Sequence, residues 1–109
     1  MSNQSLITSI HAHVETRPDK FYKTTLFESE ALLLGLNCFE PGQVQAPHVH
    51  ADETKFYFVV EGEGEFWLGE ERFAVSAGDV IWAPAGTIHG VKNESAQRLV
   101  MLVGIAWPA

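Results

Sequence analysis

From Phe21 onward, short runs rich in Val, Leu, Phe and Trp are broken by Gly, Pro and Glu-Gly punctuation. Apolar runs bounded in this way read as strands, because Gly and Pro end an element more readily than they continue it. No stretch after residue 20 shows a helical period. The pattern predicts strands over residues 21–27, 30–39, 43–49, 55–61, 64–68, 72–75, 79–83, 88–92 and 97–106. Regular short strands with turns between them describe an all-β sandwich or barrel. At 109 residues the chain suffices for one domain with a small core. Residues 1–20, polar, mixed and containing Pro18, read as an N-terminal arm or short helix. Residues 21–109 are the barrel domain.

Several strands are apolar on both faces. Phe56, Phe58 and Val60 share one parity and Tyr57 and Val59 the other, and residues 99–107 behave alike. Only one face of a small barrel's strand points inward. The arm can cover part of the other face, and a second subunit is the more economical cover. The expectation is a homodimer.

Two spaced patterns stand out. Residues 78–93, GDVIWAPAGTIHGVKN, place Gly78, Pro84, Gly86, His89 and Asn93 in the order G-x5-P-x-G-x2-H-x3-N. Upstream, residues 42–62, GQVQAPHVHADETKFYFVVEG, place Gly42, His48, His50 and Gly62 in the order G-x5-H-x-H-x4-E-x6-G, with Lys55 at the glutamate position. The pair resembles the two signatures of the cupin family. The resemblance implies a single double-stranded β-helix barrel of jelly-roll type. It also implies that the two signatures supply three His and one Glu to a divalent metal inside the barrel.

The residues themselves support a metal reading in part. His48 and His50 are two apart, and residues i and i+2 of a strand share a face. His89 comes from another strand, just after a Pro-Ala-Gly turn. Three imidazoles suit Fe, Ni, Zn or Cu, and an added carboxylate extends the range to Mn. A second H-x-H pair, His11 and His13, lies in the arm without glycine or strand context and reads as solvated.

Lys55 is the departure. An ammonium about 5 Å from a divalent ion costs roughly 7 kcal/mol at an effective dielectric of about 20. Either the lysine turns away, or its pKa falls until it is neutral, or an anion bridges it to the ion, or no metal binds. Glu53 offers a further route: it has the parity of Lys55 and could pair with it or enter the vacant ligand position. Asp52 reads as a solvated turn residue.

Tyr57 shares Lys55's parity and either lines a pocket or packs in the core. Trp67 and Trp82 fall in predicted strands and read as core aromatics, with a pocket wall as the second reading. Cys38, the one cysteine, reads as a buried inert thiol, and Asn93 as a turn residue bonded to backbone. A single cysteine forms no internal disulfide and fits a reducing compartment. The first ten residues have no signal-peptide pattern, and the longest apolar stretch, residues 99–107, is about half of what a spanning helix needs. These features predict a soluble cytoplasmic protein without a membrane partner. A formal net charge of −7 disfavours nucleic acid. Covalent hydrolase chemistry has no motif here.

Three functional readings follow. In the first, His48, His50 and His89, with Glu53, hold a divalent transition metal (Fe, Ni, Zn, Cu or Mn), and the protein acts on a small polar or anionic molecule. As a catalyst it would be of dioxygenase or isomerase type. Lys55 would then orient an anionic group and Tyr57 assist proton transfer. The second reading is a non-catalytic module that binds or senses a metal or small ligand. The third is a metal-free barrel whose histidines are packed polar residues.

Overall fold

The computed structural model describes residues 5–108. Residues 1–4 of the arm and residue 109 of the barrel lie outside the described residues. A 3-10 turn at Ile10–Ala12 precedes nine strands: β1 (Tyr22–Glu28), β2 (Leu32–Phe39), β3 (Val44–His48), β4 (Thr54–Glu61), β5 (Glu63–Leu68), β6 (Glu71–Ser76), β7 (Val80–Ala83), β8 (His89–Lys92) and β9 (Leu99–Ala106). Each predicted run overlaps one strand, with ends that agree to within two residues. The strands form a five-stranded sheet, β1-β2-β9-β4-β7, and a four-stranded sheet, β3-β8-β5-β6. Every pairing is antiparallel. Among the described residues no helix is long and apolar enough to cross a membrane.

Side-chain alternation builds the core between the sheets. On β4, Tyr57 and Val59 face inward with Val103 and Met101 of β9, Ile81 of β7 and Phe66 of β5. Each such fully buried apolar side chain stabilises the fold by about 1.5–3 kcal/mol. The opposite parity faces out. Phe56 lies over Gly104, where a Cβ would collide with its ring. On β2 and β9 the outward side chains Leu36, Cys38 and Val100 are covered by Ile10 and Val14 of the N-terminal segment. Burial pushes the Cys38 thiol up to about 11, which keeps it protonated and unreactive.

The two tryptophans expected in the core are outside it. Trp82 is 63 % exposed on the outer face of edge strand β7, and Trp67 is half-buried against Gly90 on the outer face of β5. Ile81, Ala83 and Phe66 already occupy the inward parity of those strands, so alternation turns each tryptophan out.

One irregularity positions the site. On β3, Gln45 pairs with Val91 and His48 pairs with His89, so three residues on β3 span two on β8. A three-residue step in a regular strand would set Gln45 and His48 on opposite faces. The bulge returns both to the interior.

Candidate functional site

His48, at the end of β3, and His89, at the start of β8, are cross-strand partners with ring centroids 4.3 Å apart. His50 stands beside His48, with centroids at 5.1 Å. The chain therefore brings the three histidines of its two patterns together. Backbone carbonyls fix the tautomer of two rings. His48 Nδ1 donates to the Ala46 carbonyl at 2.9 Å, and His89 Nδ1 donates to the Thr87 carbonyl at 3.0 Å. A neutral ring whose Nδ1 carries the proton keeps a lone pair on Nε2. Burial, with lesser contributions from neighbouring positive charges including Lys55, lowers both pKa values and keeps the rings neutral. His89 is 3 % exposed, and its Nε2 is buried without a hydrogen-bond partner.

Glu53 and Lys55 form the adjoining ion pair. Lys55 Nζ lies 3.7 Å from Glu53 Oε1, and His50 Nε2 lies 3.7 Å from the same oxygen. The Trp107 indole N–H holds the other oxygen, Oε2, at 2.7 Å. Lys55 is 7 % exposed, and burial lowers its pKa while Glu53 opposes that shift. Of the arrangements open to Lys55, the structure has the ammonium paired with Glu53. The carboxylate is thereby shared between a lysine, a histidine and an indole. Among the described residues, no group of three or more His, Cys, Asp and Glu side chains is drawn together as a metal-holding cluster.

Tyr57 is 1 % exposed, and its ring centroid is 5.9 Å from that of His89. Burial first, and Glu53 second, push its phenol far above the ordinary value. It stays a neutral hydroxyl at any working pH. Asn93 holds the end of β8 by donating to the carbonyls of Phe39 and Gln97. Asp52 is exposed in a bend, as a solvated turn residue should be.

An open cavity of about 480 Å³ adjoins the ion pair, and none of the three histidines lines it. Lys55 and Tyr57 line it, together with Lys23, Asn37 and Gln45, three polar residues that carry no defined position in the two patterns. Strand parity carries their signal. Lys23 and Asn37 are register partners that share inward parity with Phe21 and Phe39, which stack at 4.7 Å. A polar residue on a core parity marks either a partner or a ligand. Gln45 Oε1 is the second buried polar atom without a hydrogen-bond partner.

Residues 35–105 match the family described as the cupin domain. The chain is similar to the crystal structure of TT1209 from Thermus thermophilus, at 39 % identity and a TM-score of 0.89, covering 93 % of this chain and 96 % of that one. It is also similar to the structure of a predicted oxalate decarboxylase from Thermotoga maritima, at 27 % identity and a TM-score of 0.75, with 78 % of each chain covered. A protein of the same organism named as oxalate-binding is 31 % identical over 65 residues, which are 60 % of this chain and 54 % of the relative. The chain spans about half the length of that relative.

Proposed function

The chain belongs to the cupin family, and we propose that it binds a small anionic molecule at the mouth of its barrel, beside a divalent transition metal. The observation that carries this reading is the bare, buried Nε2 of His89, next to His48 and, through Tyr57, to a cavity lined by two lysines. The donor chemistry fits Fe, Ni, Zn, Cu or Mn. His48 and His89 are locked in the tautomer a metal ligand needs, and His50 and Glu53 are the further donors. Glu53 also compensates the Lys55 charge, which answers the repulsion such an ion would meet. When bound, the ion supplies Lewis-acid or redox chemistry. Lys55 orients the anion, and the Tyr57 hydroxyl holds a proton at the cavity wall. A reaction run there would be of dioxygenase or isomerase type.

A second reading, a non-catalytic binding module, draws support from the relative named for binding oxalate. The two differ at Lys55 and Tyr57: substitutions there lower turnover in an enzyme and only ligand affinity in a binder. In the same reading, the N-terminal arm and a second copy of the chain cover the outer sheet face. The lone buried thiol of Cys38 suits the cytoplasm.

Elemental analysis tests the metal. Protein purified without chelator or added metal should carry a transition metal near one per chain, and His48→Ala should lose it. No metal in either sample, and none taken up on addition, would overturn the metal reading in favour of a metal-free barrel.

A further inference from the structure

Among the described residues, the four most exposed large apolar side chains fall into two pairs. Leu6 and Ile7 of the N-terminal arm are 87 % and 84 % exposed, and Val80 and Trp82 of β7 are 66 % and 63 % exposed. Single exposed apolar residues are ordinary, but neighbours that expose this much surface together mark a contact. The first pair is held out by the arm itself. The Ser5 hydroxyl donates to the Ile7 carbonyl at 2.8 Å and accepts from the Ile7 amide at 3.2 Å. Thr8 Oγ1 and His13 Nε2, 2.7 Å apart, close the arm behind it, and Ile10 and Val14 anchor it over β2 and β9.

The two pairs lie at opposite edges of one sheet. Leu6 borders a groove with Phe27, Leu32 and Leu34 on the outer face of β1 and β2. Val80 and Trp82 stand on the outer face of β7, the far edge in the order β1-β2-β9-β4-β7. Four strand spacings, roughly 19 Å, separate β1 from β7, so the pairs do not meet within one chain. Two copies bring them together. A two-fold axis parallel to the strands, between two facing outer surfaces, sets the β1-β2 side of one copy over the β4-β7 side of the other and forms each contact twice. A lipid surface or an unrelated peptide on β7 would leave Leu6 and Ile7 in water, whereas a second copy removes both pairs from it.

We infer that the outer face is an arm-exchanged interface between two copies of this chain, with Leu6 and Ile7 of each copy seated on Val80 and Trp82 of the other. The inference rests on the reading in which a second copy covers the outer sheet face, and it names the segment of that copy which does so.

Sedimentation equilibrium of the full chain at micromolar concentration tests the role of the arm. The wild type should give twice the 12.1 kDa chain mass, and Leu6→Asp combined with Ile7→Asp should give a monomer. That variant should still unfold cooperatively, because neither side chain enters the core. Cross-linking tests the contact itself. The double variant Leu6→Cys/Val80→Cys, treated with a short bis-maleimide, should run as a covalent dimer on a denaturing gel, and neither single variant should. Cys38 is buried and does not compete.

A monomeric wild type would overturn both the inference and the second-copy reading. A dimer that survives the two aspartates would overturn the inference and leave that reading standing. So would a dimeric double-cysteine variant that forms no covalent dimer, or a single variant that forms one as readily.

Discussion

A lysine at 7 % exposure needs a reason to stay charged. Lys55 has one in Glu53, 3.7 Å away, which Trp107 holds in place through Oε2. For a pair this buried, the Coulombic gain roughly offsets the cost of taking both groups out of water, so its two halves are unequal under mutation. Lys55→Met should leave the unfolding free energy within about 1 kcal/mol of the wild type, since an apolar chain of similar length replaces the ammonium. Glu53→Ala should cost about 3 kcal/mol, because it strands a buried cation and frees the indole N–H. Urea unfolding at neutral pH checks both, and equal losses would refute the argument. The pH dependence has a definite sign. Burial lowers the Lys55 pKa below 10.5, so between the folded pKa and 10.5 the unfolded chain binds more protons than the folded one. Stability contributed by this group therefore rises with pH across that interval. The rise should vanish in Lys55→Met.

Where elements join, backbone geometry sets the limits. Gly62 sits between β4 and β5 at φ +87°, and a Cβ there would strike the Arg98 carbonyl oxygen on the neighbouring chain segment. Gly69, in the turn between β5 and β6, has φ +61°, and a Cβ there would meet nothing within 4 Å. Both positions strain an L side chain, but only the first adds a collision with backbone. Gly62→Ala should cost about 3 kcal/mol and Gly69→Ala about 1 kcal/mol, read as a much larger drop in melting temperature for the first. Similar drops would show that the contact at Arg98 relaxes. The strands are legible in the sequence because alternation and turn residues are local signals. The pairing of His48 with His89 is legible from the two spaced patterns, whereas His50 lies past the end of β3, where the i, i+2 rule for a strand no longer sets its direction. The cavity is not legible. Lys23, Asn37 and Gln45 lie on three strands, and a bulge between Gln45 and His48 reverses the parity that simple counting assigns. Trp82 departs from its expected place in the core for a related reason: which parity of β7 faces inward depends on its register with β4.

The whole molecule holds two contrasts. A chain of net charge −7 keeps two lysines at one cavity, so anions are repelled at a distance and attracted only at the mouth. The second contrast is on the outer face of the five-stranded sheet. Ile10 and Val14 cover its β2-β9 half. On the β4-β7 half, Phe56 and Phe58 are half-buried, while Val80 and Trp82 are 66 % and 63 % exposed. An apolar patch of this kind, at the edge of a sheet, is what a self-complementary two-fold contact buries. Sedimentation equilibrium at micromolar concentration should therefore give twice the 12.1 kDa chain mass. Trp82→Glu removes the largest exposed aromatic and places an acid at the centre of the patch, in a chain that is already acidic. That variant should sediment as a 12.1 kDa monomer, with unfolding still cooperative because Trp82 contributes nothing to the core. A wild-type monomer would refute the dimer. A dimer unaffected by Trp82→Glu would move the contact away from β7.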